Sequence, residues 1–277
     1  MRRPALVLAA LLPLVGCAGV NLGPISTGDV IKAGTAVAAS QRDFTPEEEQ
    51  QLGRVVAARV LGTYPLWEDS ARTRYLNLVG QVVARQVGRP GTVWHFALLD
   101  TGTVNAFSCP GGYVFVTRGL FQSCRSEAEL AAVLGHECGH VAGQHVLTEI
   151  KRTNLITTGV SIVADHAGGG GLTADLMRKI GEKGADVLIN RGMSRKDEYD
   201  ADARGCRIAH GAGYATVPYE EFLLRLAVRM EAESGGSLAS LAKTHPGPAD
   251  RATKLQAEGL IFTDGQTLAD RFSRLGK

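Results

Sequence analysis

GHECGHVAG, residues 135–143, decides how the chain folds. It lies within EAELAAVLGHECGHVAGQH (127–145), whose apolar residues recur at helical spacing. Ser126 just before this run and Glu129 three residues later form a capping-box signature. An amphipathic helix opening at Ser126 is therefore expected. At about 100° per residue, Leu130, Leu134 and Val141 fall within about 40° of one another and define the buried stripe. His136 and His140 fall about 40° apart at one edge of it, and Glu137 falls within about 20° of Leu130, in the middle of the apolar face. An ionised carboxylate there costs several kcal/mol unless something nearby stabilises it.

A metal ion supplies that reason. Histidines at i and i+4 on a helix present imidazole nitrogens to one ion, and H-E-x-x-H sets the glutamate beside a water that the ion activates. Zinc lowers the pKa of such a water from about 15.7 toward 7, and a carboxylate beside it accepts the proton as the water attacks a carbonyl. His136 and His140 are candidate ligands and Glu137 the candidate general base. Candidates for a third ligand follow in SRKDEYDAD (194–202), where Glu198 and Asp202 share one helix face. With Glu198 as ligand, Asp202 is placed to accept the outer N–H of a ligating histidine. A solvated, charged helix start is the alternative, since Lys196 and Asp197 lie there too.

At 277 residues, 44% hydrophobic and 21% charged, the chain suits a globular domain with one sizeable core and excludes disordered and fibrous classes. Arg2 and Arg3 precede an apolar run from Pro4 to Val15, too short to span a bilayer, so residues 1–16 read as a secretory leader. The segment ends in LVGC (14–17), which resembles the lipobox of bacterial lipoproteins and implies a lipid on Cys17. An ordinary signal peptide is the alternative. Ala18, next in sequence, resembles the pattern that sorts lipoproteins to the outer membrane. Residues 17–43, rich in Gly, Ala, Ser and Thr, suit a tether, leaving 44–277 as the folded domain. Without Arg2 and Arg3 the formal charge is 30 − 2 = 28 basic against 28 acidic groups, so no nucleic-acid partner is expected.

Cys109, Cys124, Cys138 and Cys206 would meet an oxidising compartment. A Cys109–Cys124 disulfide is favoured because the two flank one short strand and turn, whereas Cys138 and Cys206 suit buried thiols.

Thr45, Pro46 and Glu47 to Glu49 open a helix reaching about Leu61, and a second runs from Ser70 to about Val87. Strands are expected at 93–99, 104–107 and 112–117, and further helices near 172–190, 195–210, 216–233 and 248–258. DHAGGGG (165–171) lacks the Gly-Lys-Ser/Thr of a phosphate loop and reads as a mobile connection. The class is α+β, mostly helical, with a small sheet beside the motif helix.

Four ordered stretches, NAFSCPGGYVFVTRGL (105–120), GHECGHVAGQH (135–145), SRKDEYDADARG (194–205) and THPGPADR (244–251), resemble the HtpX-like branch of the gluzincin metallopeptidases, relatives of the CAAX prenyl endopeptidase. The likeness spans about Phe44 to Gly259. It implies a zincin-like domain with one zinc per chain held by His136, His140 and Glu198, Glu137 as base and Asp202 behind the ligands. It also implies that His245 lies near the metal, stabilising an oxyanion or plugging the water's position at rest, with Arg251 supporting that region. No apolar stretch after residue 16 is long enough to span a membrane, unlike the family's membrane-embedded members, so the chain resembles its compact lipid-anchored lipoproteins.

An edge strand at 111–117 would pair an extended polypeptide through its main chain, with Asn105, Gly111, Gly112 and Tyr113 as contacts. An internal strand without a free edge is the alternative. Two functions follow. One is a zinc endopeptidase acting on misfolded envelope proteins from the periplasmic side of the outer membrane. The other is a chaperone-like lipoprotein assisting outer-membrane protein assembly, with weak or latent proteolysis.

Overall fold

The computed structural model describes residues 43–157, 174–232, 236–245 and 247–276. The expected leader, Cys17 and almost all of the tether lie outside the described residues, as does the 165–171 connection.

The expected helix starts hold where a side chain can reach an orphan N–H. In α1 (Pro46–Thr63) the Thr45 hydroxyl accepts from Glu48 N at 3.2 Å while Glu48 Oε2 accepts from Thr45 N at 3.0 Å. Helix α2 (Ser70–Ala84) is capped by Asp69. Strands β1 (His95–Leu99), β2 (Ala106–Cys109) and β3 (Tyr113–Thr117) form one sheet in the order β1-β3-β2. β3 pairs parallel with β1 (Phe96 opposite Val114) and antiparallel with β2 (Phe107 opposite Phe115). The edge-strand expectation is thus overturned: β3 is central, both its main-chain edges are already paired, and none is left for a peptide.

Side chains of alternate residues leave the sheet on opposite faces, and the core is accordingly two clusters. Val114, Val116, Phe96 and Leu98 join one; Phe115, Phe107 and Leu99 join the other. The same division corrects the disulfide expectation. Cys109 packs in the second cluster and Cys124, past the short helix α3 (Arg118–Ser123), in the first, and all four described cysteines are buried free thiols.

Helix α4 (Glu127–Ala142) carries the motif, and every residue from Glu127 to Val141 is buried. It is therefore a central helix and not the amphipathic one expected. Its capping box is also half made: the Ser126 hydroxyl accepts from Glu129 N at 3.2 Å, but the Glu129 carboxylate takes Arg125 N and Arg225 instead of reaching back to Ser126. Glu127, fully buried at its start, accepts from Tyr75, Tyr214 and Arg271 and so binds α2 and the C-terminal helix to α4.

Helices α5 (His145–Thr157) and α6 (Ala174–Asp186) follow. A π-helical turn at Val187–Arg191 follows α6 without a break, so the helix expected to reach residue 190 ends in π rather than α geometry. Helix α7 (Arg195–Gly211) starts with a complete capping box between Ser194 and Asp197 and lies along α4. Contact is close because both helices present glycine. A Cβ on Gly135 would sit 2.7 Å from Gly205 O, and one on Gly205 2.7 Å from His136 N. The remaining α-helices among the described residues are α8 (Val217–Ala232), α9 (Ala239–Thr244), α10 (Pro248–Ala257) and α11 (Ala269–Gly276). No described helix is long and apolar enough to cross a membrane.

Candidate metal centre

The glycine contact between α4 and α7 brings Glu198 to the two motif histidines. His136 Nε2 and His140 Nε2 stand 3.0 Å apart, His140 Nε2 is 3.4 Å from Glu198 Oε1, and His136 Nε2 is 3.6 Å from Glu198 Oε2. Two ligands of a tetrahedral ion at about 2.0 Å from it are separated by roughly 3.3 Å, so three donors already stand at the edge lengths of one coordination site. His245, just past α9, completes a group whose four ligand atoms all lie within 4.8 Å of one another, every residue buried. Its Nδ1 lies 3.1 Å from each Glu198 oxygen.

Glu137 behaves differently from the other buried acids. Its Oε2 is buried and has no hydrogen-bond partner among the described residues. Leaving one buried acceptor unmatched costs about 1–3 kcal/mol, more when charged, so the atom calls for a partner the chain does not supply. A cavity of about 30 Å3 adjoins it, lined in part by Ala106, Val133, His136 and His245, with room for a water but not for a peptide. Larger cavities, about 430 Å3 by Arg125 and Val228 and about 470 Å3 by Arg59 and Glu182, lie elsewhere, so size does not mark this site. Two imidazoles, a carboxylate and an orphaned base fit a divalent ion.

The outer side of the centre is rigidly held. Asp202 Oδ1 lies 2.9 Å from His136 Nδ1, which fixes that ring with Nε2 turned inward. Arg251 on α10 grips Asp202 in a bidentate pair, Nε to Oδ2 and Nη2 to Oδ1, both at 2.7 Å, and its Nη1 lies 3.0 Å from Glu198 Oε2. Tyr219 on α8 donates to Asp202 Oδ1 at 2.8 Å and accepts from Arg251. Sequence reading missed Tyr219; an isolated tyrosine in an apolar helix carries no signal of such a role.

Charge follows this wiring. Burial alone would raise the Glu198 carboxyl, but the charges of His245 and Arg251 outweigh it and hold the group well below the usual carboxylate range. Asp202 is likewise depressed: burial raises it, but Arg251 and His136 together outweigh burial through charge and hydrogen bonds. Burial, then Arg251, lowers His136 and keeps its imidazole neutral, as a ligand must be. At His245 burial pulls down, but the Glu198 charge and hydrogen bond outweigh it and leave the group raised.

None of the expected peptide contacts is among the convergent ligand groups. Gly111 and Gly112 form the turn before β3: Gly111 N donates to Glu49, and a Cβ on Gly112 would lie 2.7 Å from Val93 O. Tyr113 stacks on His95. Asn105 is wholly buried and links the sheet to the segment that ends on His245: its Nδ2 donates to Ser240 Oγ at 2.9 Å and its Oδ1 accepts from Ala106 N.

The sequence profile described as peptidase family M48 matches residues 70–259, more than half of the chain and all of this centre. The chain belongs to peptidase family M48. Among curated relatives of this M48 chain, a beta-barrel assembly-enhancing protease of Yersinia pestis is 27% identical over 250 residues, covering 83% of the chain and 49% of the relative. The mitochondrial metalloendopeptidase OMA1 of Schizosaccharomyces pombe is 30% identical over 190 residues, 66% of the chain and 52% of the relative. The metalloprotease LoiP of Escherichia coli (strain K12) is 31% identical over 163 residues, 57% and 61% respectively. The chain thus spans about half the length of the curated relatives it matches.

Proposed function

We propose that the chain is a zinc endopeptidase that hydrolyses peptide bonds of misfolded or unassembled envelope proteins, tethered on the periplasmic side of the outer membrane through a lipid on Cys17. The orphaned Oε2 of Glu137 beside three convergent ligands carries this reading, since a structural metal site gives no reason to bury a carboxylate oxygen without a partner. Zinc, when bound, lowers the pKa of water and polarises a carbonyl. The chain's residues do the rest. His136, His140 and Glu198 hold the ion; Asp202 and Arg251 fix the ligands from behind. Glu137 takes the proton of the attacking water and hands it to the departing amine nitrogen.

His245 has two possible employments, and the geometry favours the resting one. Its ligand atom joins those of the other three within 4.8 Å, and a catalytic site needs a fourth position open. In this reading the histidine plugs the resting centre and swings away when substrate binds. A plugged site also supports the second reading, in which the chain assists assembly and cleaves weakly. The name of the Yersinia pestis relative, a beta-barrel assembly-enhancing protease, is consistent with either.

Cleavage of unfolded casein tests both. If the open form is about 0.1–10% populated, His245→Ala raises the rate about tenfold or more. A rate that falls as far as that of Glu137→Gln would instead make His245 an oxyanion donor only.

A further inference from the structure

We propose that His145 is a positioning residue for the metal centre: it fixes the tautomer and the orientation of His140, with Asp200 behind it. His140 Nδ1 lies 2.8 Å from His145 Nδ1, and His145 Nε2 lies 3.1 Å from Asp200 Oδ2, which also accepts from Arg204 Nε at 2.5 Å. Only one proton fits between the two Nδ1 atoms. His140 must present a lone pair from Nε2 to the centre, so its proton resides on Nδ1 and His140 is the donor. His145 Nδ1 must then accept, which places its own proton on Nε2, facing Asp200. A single proton arrangement satisfies the whole chain of contacts. The outer nitrogen of His136 reaches a carboxylate directly, in Asp202, whereas that of His140 reaches one through a second imidazole.

The backbone is built for this contact. Gln144, between α4 and α5, has φ 54, a left-handed conformation uncommon outside glycine. It turns the chain so that the first residue of α5 folds its ring back over the end of α4. A Cβ on Gly143 would lie 2.3 Å from His145 Nε2, so glycine is needed there for the ring to fit. The turn is tied down from the far side: Gln144 Nε2 donates to the buried Glu49, which also receives Arg89 and Gly111 N. A strained turn, a glycine cleared for an imidazole and a buried carboxylate anchor converge on one ring that touches no part of the centre except His140.

This inference rests on the zinc reading, and its test separates the two. Zinc affinity of the purified chain is measured by chelator competition for the wild type and for His140→Ala, His145→Ala, His145→Asn and Asp200→Asn, with thermal unfolding of the chelated forms as the control for folding. In His145→Asn the amide oxygen can stand where Nδ1 stood and accept the same hydrogen bond. His145→Ala is expected to weaken zinc binding about 10- to 100-fold, as loss of an outer partner does, and His145→Asn to recover most of it. Asp200→Asn, on a half-exposed residue, is expected to lose less. Equal affinity in wild type and His145→Ala, or equal losses in the alanine and asparagine variants, would overturn the proposal. A wild type that takes no zinc would instead overturn the reading beneath it. Should His145→Ala fail to fold, the asparagine variant and Asp200→Asn decide: zinc affinity unchanged in Asp200→Asn and lost in His145→Asn counts against the relay.

Discussion

Glu137→Gln is expected to bind zinc as the wild type does and to cleave unfolded casein about 10^2- to 10^4-fold more slowly, the range associated with loss of a general base. The substitution is nearly isosteric, and Glu137 is not among the residues whose ligand atoms converge. Its Oε2 has no partner to lose, so folding should not suffer. Because the proposed resting plug of His245 would slow both chains, the comparison is sharper with His245→Ala present in both. Loss of cleavage with zinc retained then assigns the proton transfer to Glu137. Equal cleavage by both chains would remove the enzymatic reading and leave the assembly-assisting one.

Glu198→Gln is expected to weaken zinc binding by more than about 100-fold, beyond the loss seen when an outer partner is removed, because a neutral amide is a poor ligand for a divalent ion. Its effect on folding should be milder than its burial suggests. Arg251 keeps its bidentate pair with Asp202 when the Glu198 charge is gone, so no buried guanidinium is stranded. Chelator competition reads the affinity, and urea unfolding of the chelated protein reads the stability. Wild-type affinity in this variant would disqualify α7 as the source of the third ligand.

How much of this was legible in the sequence depends on the range of the interaction. His136, Glu137 and His140 are one helical turn apart, so their convergence is local and spacing alone predicts it. Glu198 and Asp202 are equally local to each other, but their approach to the histidines needs α7 to lie against α4. The sequence records that approach only as glycine at 135, 139 and 205, which also reads as weak helix-forming residues. The burial of α4 on every side was hidden for a related reason. Ala131, Ala132, Gly135 and Gly139 occupy the face that looked solvent-exposed, and small residues there mark a close helix contact as well as they mark a surface.

Strand order was beyond reach. VFV at 114–116 says that both faces of β3 are buried, yet nothing local says which strands flank it, so the edge assignment failed. The cysteine pairing failed likewise, because closeness in sequence does not reveal that Cys109 and Cys124 belong to opposite faces of the sheet. His145 was inside the quoted motif but stood out from its neighbours only once the left-handed turn at Gln144 was seen.

The central claim, that one metal ion is gripped by two imidazoles from α4 and a carboxylate from α7, is tested most directly by anomalous scattering from a crystal at the zinc edge. The account predicts one peak per chain, about 2.0–2.1 Å from His136 Nε2 and His140 Nε2 and in contact with the Glu198 carboxylate. A protein that still cleaves casein without such a peak, or whose peak lies away from these three side chains, would contradict it.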